Sequence, residues 1–292
     1  MFVAPVSVEY SSPVLVQDDV KLLQEQFGMF YAKACECFPN SCVETQRGMT
    51  SYLSGIPLHN FNAIMGYPKE QQDDCIKERL AFFDAAQMPF IWYVNEDVDP
   101  AFVQKLKEHD FVDWGVFRGV FGPLDPSLAS SPLPDGFVME RVTDSAAFEE
   151  FNAVVCSVFG LESSTKEMYK EFLGRMMHDD PPMFHWVVRK EGKVVSCVST
   201  YIVDNVISFW NGATLPELRK QGLNMALRRF VLQDGILRGA KFGSSYLMSE
   251  GLAYGICSKL GYQTRWRFNA FLSPSTNGVN NDKAQTSITA QP

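Results

Sequence analysis

The sequence contains no apolar run that approaches the roughly 18–20 residues of a membrane-spanning helix, so no membrane partner is expected. It has no excess of basic charge: 26 Lys and Arg stand against 34 Asp and Glu, for a net charge of −8. A general nucleic-acid binder needs a basic surface to displace counterions, so no nucleic-acid partner is expected either. The acidic balance is compatible with a basic or amine-bearing partner. Histidine is scarce, with four in 292 residues, and none has the spacing of a metal site or of a Ser-His-Asp triad. The seven cysteines are odd in number and lack framework spacing, which fits reduced thiols in a cytoplasmic setting. Cys35, Cys37 and Cys42 form the one cluster. It has no nearby His and lies in a helical pattern, so small packing residues suit it better than zinc ligands, and no metal is expected. The Gly-Lys-Ser/Thr of a phosphate loop and the three glycines of a dinucleotide fingerprint are both missing. The first ten residues carry Pro5 and no basic start, which does not suit a secretory leader.

What is present is ample apolar content, 46% of the chain, and a length that suits two domains of about 140 residues each. The stretch from Val206 to Met225, VISFWNGATLPELRKQGLNM, organises the rest. Val206 to Ala213 is β-branched, aromatic and small without a charge, as a central strand should be. Pro216 and Glu217 break that pattern. After Arg219-Lys220-Gln221-Gly222, an apolar helical stripe begins with Leu223, Ala226, Leu227, Phe230 and Val231. A strand that runs through a glycine turn into a helix is a common arrangement that more often binds nothing, but it has the makings of an anion site. The first-turn N–H groups lack intrahelical partners, and the helix dipole adds positive potential.

The remaining periodicities divide the chain in two. In the first half, helices are expected over Asp18 to Cys37, Lys69 to Ala86 and from Asp99 to about His109. Strands are expected within Met49 to Gly66, at Phe90 to Val94 and over Asp113 to Phe121. Gly122 to Gly136, GPLDPSLASSPLPDG, reads as the connection. The boundaries that follow are a first lobe over 1–125, a linker over 126–136, a second lobe over 137–272 and a disordered tail over 273–292. The second lobe reads as strand, two helices, a three-strand meander ending in the central strand, then helix, strand, helix, strand. Glu191-Gly192 and Asp204-Asn205 supply its turns.

That order, with ATLPELRKQGLN between the fourth strand and the third helix, resembles the GNAT superfamily of acetyltransferases. Arg219 matches the first position of the family's Gln/Arg-x-x-Gly-x-Gly/Ala turn and Gly222 the fourth. Asn224 departs from the small residue usual at the sixth. Leu252 to Tyr262, LAYGICSKLGY, is similar to the family's Tyr-x-x-Leu-Gly-Phe ending. The first half shares the rhythm without the turn. Together with Ser54-Gly55-Ile56-Pro57 and Phe61-Asn62 it resembles two-lobed bacterial GNAT proteins whose N-terminal lobe is degenerate. The fold implied is α/β (α+β): two GNAT-like lobes, each a mixed, mostly antiparallel sheet flanked by helices.

The activity implied is transfer of acetyl from acetyl-CoA to an amine on a small molecule or a protein. A CoA-binding pseudoenzyme or interaction module is the alternative. The family's turn holds the pyrophosphate, and its preceding strand pairs with the pantetheine arm. The resemblance therefore assigns acetyl-CoA to Gly212, Ala213, Thr214, Arg219, Lys220, Gln221, Gly222, Leu223, Asn224 and Met225. Backbone N–H groups near Gly212 to Thr214 are the candidate oxyanion donors. Cys257 stands where the family usually has the tyrosine that protonates the departing thiolate, and Tyr254, one helical turn earlier, has the reach to do so. A core or surface role suits Tyr254 as well as catalysis does, and a small buried packing role suits Cys257 better than that of an acid. Glu250, at the end of the fifth strand, is the best candidate base, or else a solvated surface carboxylate. His178 and His185 are weaker candidates.

Overall fold

In the computed structural model, which describes residues 16–128, 133–161, 163–177, 183–248 and 252–274, helix α1 (Val16–Glu36) comes first. Its aromatic face of Phe27, Phe30 and Tyr31 is buried. Strands β1 (Cys42–Gln46) and β2 (Met49–Leu53) form a hairpin turned by Arg47 and Gly48, at φ 49° and 77°. A two-residue turn with both residues left-handed matches the twist of its strands. Then come β3 (Ala63–Gly66), α2 (Gln72–Ala85), β4 (Ile91–Asn95), α3 (Pro100–Glu108) and β5 (Val112–Pro123). Asp99 caps α3 by accepting from the Ala101 N–H at 2.9 Å, with Pro100 at the first helical position.

The second half runs β6 (Phe137–Arg141), α4 (Ser145–Val158), α5 (Ser163–Arg175), β7 (Met183–Lys190), β8 (Lys193–Val203) and β9 (Val206–Thr214). It closes with α6 (Leu223–Leu237), β10 (Phe242–Leu247), α7 (Leu252–Lys259) and β11 (Gln263–Leu272). Asp144 caps α4 through the Ala147 N–H at 2.8 Å. Glu191–Gly192 and Asp204–Asn205 have positive φ and turn the two expected hairpins.

The eleven strands of the described residues form one sheet, in the order β1-β2-β3-β4-β11-β5-β10-β9-β8-β7-β6. Its pairs are antiparallel except β3 with β4 and β9 with β10. Each parallel pair is bridged by a helix, α2 in the first half and α6 in the second, so the halves repeat one architecture. The two lobes share their centre by exchange. β11, the last strand of the second half, lies between β4 and β5 of the first, and β5 pairs with β10 of the second. The expected strands are present, with two differences. β1 is an additional edge strand, whose burial pattern shows little of the apolar alternation on which strand recognition depends. β5 runs on through Gly122 and Pro123 into the expected connection, because β10 pairs with it that far.

Helices cover both faces. On β7, Val187 joins the core under α4, while Trp186 and Val188 join the core under α6. This explains the near-continuous apolar run of these strands. α1 crosses the junction of the halves. Phe30 stacks on Trp210 of β9 with centroids 3.8 Å apart, and Phe27 packs edge-on to Tyr93 of β4 and Trp266 of β11. Among the described residues no helix is long and apolar enough to cross a membrane.

Candidate functional site

The parallel pairing of β9 and β10 runs from Val206 and Phe242 to Phe209 and Ser245 and then stops. Beyond Phe209 the two strands diverge, leaving an open edge on β9. On its other edge β9 still pairs with β8, but irregularly. Cys197 opposes Ala213 and Ser199 opposes Trp210, so Val198 faces the two residues Asn211 and Gly212. Asn211 takes a left-handed φ of 52°, and this bulge re-aims the backbone at the mouth of the opening.

The N-terminus of α6 lies below the opening. Gly222 has φ 78°, and a Cβ placed on it would meet no atom within 4 Å, so its approach is clear. The first bond into the helix runs from the Ala226 N–H to the Gly222 carbonyl at 2.9 Å. The N–H groups of Leu223, Asn224 and Met225 are therefore left without intrahelical acceptors. Arg219 pins the incoming loop by donating from Nε to the Thr214 carbonyl at 3.1 Å. Lys220 and Gln221 are exposed beside it. The Asn224 side chain turns inward: Nδ2 donates to the Cys197 carbonyl at 3.3 Å, and Oδ1 accepts from Arg228 Nε at 3.0 Å. The departure from a small residue at this position thus ties α6 to β8 at the bulge.

A cavity of about 220 Å³ opens from this point into the junction of the halves. Its walls are aromatic: Phe30 and Tyr31 from α1, Tyr93 from β4, Trp114 and Phe117 from β5, and Trp210 from β9. No carboxylate lines it among the described residues. Two polar features reach it from the second half. One is the guanidinium of Arg228, a residue only 4% exposed. The other is a chain of hydrogen bonds with a single direction. Tyr169 donates to Asn211 Oδ1 at 2.5 Å, and Asn211 Nδ2 donates to Ser199 Oγ at 3.0 Å. Ser199 then donates to His185 Nδ1 at 2.8 Å, which leaves Nε2 to donate to the Leu173 carbonyl at 3.4 Å. Burial pushes the His185 imidazole down to about 4 and lifts the Tyr169 phenol above its ordinary range. The chain is therefore neutral throughout and holds the Asn211 bulge in place. An amide cannot readily pass a proton along, so its role is positional.

Of the residues expected to bind acetyl-CoA, Gly212 lines the cavity, Asn224 lies beside it, 3.7 Å from where a Cβ on Gly212 would stand, and Arg219 is tied to Thr214. Cys257 is fully buried. Arg228 Nη1 approaches its sulfur at 3.8 Å, and burial holds the thiol above its ordinary value. Tyr254 is half-buried against the core of the second half, and the α7 residue that lines the cavity is Ala253. Glu250 and His178 lie outside the described residues. His185 is buried behind the bulge and does not line the cavity. The aromatic walls, Tyr169, Asn211 and Arg228 were not anticipated. Each belongs to a periodic apolar segment or flanks one, where a cavity lining and a core residue read alike. The one signal is Arg228, a charge set one turn after Asn224 beside the buried stripe of α6.

No protein-family model matches the chain, and no curated protein matches it by sequence. Solved structures do match it in three dimensions. A GCN5-related N-acetyltransferase from Kribbella flavida superposes with a TM-score of 0.66 at 14% identity, covering 90% of this chain and 97% of that one. A GCN5-related N-acetyltransferase from Sphaerobacter thermophilus gives a TM-score of 0.59 at 11% identity, over 77% and 76% of the two chains. The chain thus has the GNAT fold. It has it in two-lobed form: a tandem GNAT protein from the clavulanic acid biosynthesis pathway matches over 91% of this chain and 98% of its own, with a TM-score of 0.56 and 11% identity.

Proposed function

We propose that this chain is an N-acetyltransferase that moves acetyl from acetyl-CoA to an amine at the opening between β9 and β10. The observation that carries the reading is the open β9 edge standing over a helix N-terminus whose Gly222 leaves the approach clear. Acetyl-CoA would supply the activated acyl group as a thioester.

The chain's residues fit such a donor. The free N–H groups of Leu223 to Met225 would hold the pyrophosphate, with Arg219 and Lys220 adding charge at the same turn. The unpaired edge of β9 would hydrogen-bond the pantetheine arm as an added strand would. Backbone N–H groups near Gly212 to Thr214, aimed by the Asn211 bulge, would receive the thioester oxygen as it gains charge.

The acceptor amine would enter through the aromatic cavity. Loss of hydration there favours its neutral form, which lightens the demand on any base. Its nitrogen attacks the thioester carbon, the new C–N bond forms, and the C–S bond breaks. The amine gives its proton to water, and the departing thiolate takes one from Tyr254 or from solvent.

The test is release of CoA thiol from acetyl-CoA in the presence of single amines, with the N-acetyl product identified by mass. Turnover that disappears in Gly222→Glu, with the variant still folded, supports the reading. Tight CoA binding with no thiol release across a broad panel of amines would make the chain a CoA-binding protein without transfer activity.

A further inference from the structure

Arg228 is a buried cation whose neighbours do not neutralise it. It is 4% exposed, and its partners among the described residues are the Asn224 amide oxygen at 3.0 Å and the Cys257 sulfur at 3.8 Å, with the Phe209 ring 4.9 Å from the guanidinium carbon. Among the described residues no carboxylate pairs with it, although other buried or half-buried arginines here have one: Arg79 with Glu44 at 2.6 Å and Arg189 with Glu140 at 2.6 Å. A guanidinium left without a counter-charge in such a place is costly unless a ligand completes it. Arg228 lines the cavity, and its Nη2 stands against Gly212, which lines it too. The pyrophosphate of CoA cannot fill the role. That group belongs at the exposed turn around Gly222, and Arg228 lies more than a helical turn further along α6, beneath the sheet.

Position narrows the ligand. Arg228 Nη2 lies 3.0 Å from where a Cβ on Gly212 would stand. Gly212 is the bulge residue beside which the thioester and the attacking nitrogen must meet under the reading above. An anion held by Arg228 is therefore a close neighbour of the reacting nitrogen, as a carboxylate on the adjacent carbon is. The rest of the acceptor must then extend among Phe30, Tyr31, Tyr93 and Trp114, away from any acidic side chain of the described residues. A cavity of about 220 Å³ is smaller than the roughly 300–1,000 Å³ of drug-sized sites. Polycationic acceptors have nothing to pair with there.

We propose that the acceptor is a free α-amino acid with an aromatic or large apolar side chain, and that Arg228 pairs with its carboxylate in a bidentate fork. This rests on the acetyl-transfer reading. The α-amino nitrogen bonds to the acetyl carbon and loses its proton to water, the C–S bond breaks, and CoA leaves as the thiol.

The experiment compares L-phenylalanine with phenethylamine, and L-tryptophan with tryptamine, on the full chain with acetyl-CoA. The wild type should favour each amino acid in kcat/KM. In Arg228→Gln the ratio of amino acid to decarboxylated amine should fall by roughly 100-fold, the scale of a lost charge-assisted hydrogen-bonded pair. Arg228→Lys keeps the charge, loses the fork and should fall between. Equal losses for both acceptors would overturn the proposal and give Arg228 to the thiolate or to CoA. So would a wild type that ignores the carboxylate, or one that responds to Arg228 only through an acidic acyl donor such as succinyl-CoA. A separate calorimetric arm titrates N-acetyl-L-phenylalanine onto the protein saturated with CoA. Binding that Arg228→Gln weakens at least 10-fold, in a chain that shows no turnover, would keep the carboxylate site while the transfer reading fails. No binding to the wild type would overturn the carboxylate site itself. Thermal unfolding of both variants checks that each is folded.

Discussion

Gly222 sets the sharpest test at the scale of single residues. Its φ of 78° and the empty space around it leave the helix N-terminus open. Gly222→Glu places bulk and like charge where we put the pyrophosphate, and calorimetry should show CoA affinity reduced by at least 10-fold, about 1.4 kcal/mol. Unchanged affinity in a folded variant would remove the site from this turn. The thiolate acid is tested by a pair of variants at saturating acetyl-CoA. Tyr254→Phe should lower turnover by roughly 10²–10⁴-fold with CoA affinity nearly intact. Cys257→Ser should change turnover little, because the thiol is fully buried and burial keeps it protonated. The opposite ranking gives the role to Cys257, and no effect from either gives it to water. His185 makes a statement about pH. Its imidazole takes a proton near 4 in the folded chain and near 6.5 when unfolded. Between those values the unfolded state binds more protons, so stability falls as pH drops through that window. The expected loss from this group between pH 7 and pH 5 is roughly 2 kcal/mol. Urea titrations should show that loss in the wild type and its absence from His185→Gln. The turn at Gly222 was legible in the sequence because a glycine and a basic pair interrupt an apolar pattern. The Tyr169–Asn211–Ser199–His185 chain was not, because its members are 42, 12 and 14 residues apart and meet only through strand pairing.

At the scale of elements, the two crossover helices were given the same task in shape and different tasks in charge. α6 starts at a glycine with no acid in its first turn. α2 starts at Gln71 and carries Asp73 and Asp74 there. Asp73 is already paired with Lys105 and lies 3.5 Å from His109 on the neighbouring α3. An anion at α2 would meet like charge at a helix end whose neighbouring bases are taken. Titration should therefore give one CoA per chain, and Gly222→Glu should remove it. A second equivalent surviving in that variant would show that the first lobe binds CoA as well. α1 was legible as a helix from its periodicity, but not as a wall of the cavity. A stripe with Phe27 and Phe30 predicts burial on something, while its partner Trp210 lies 180 residues away from Phe30 and shows only in the fold. Phe30→Ala should cost about 3–5 kcal/mol in denaturant stability, and KM for an aromatic acceptor should rise with it.

For the whole molecule, the sheet order matters more than the boundary between halves. The repeat of strand, helix and strand was legible in each half because its periods are local. The exchange of β5 and β11 was not, since a strand's apolar pattern does not say which neighbour it will pair with. β11 supplies Phe268 and Phe271, both almost fully buried, to the first half, and Phe268 stacks with Phe117 of β5. Heating or urea should therefore unfold the chain in one transition, with near- and far-ultraviolet signals coincident. Two separated transitions would mean that the halves are independent despite the shared sheet. The exchange also bears on how the protein is made. β11 follows every other strand of the described residues in sequence, so during synthesis β4 and β5 leave the ribosome well before the strand that belongs between them. Until it arrives the first half has an open seam, with unpaired edges and uncovered aromatic side chains at its centre. Such a nascent intermediate favours aggregation and chaperone capture, and completion of the fold must wait on contacts spanning most of the chain.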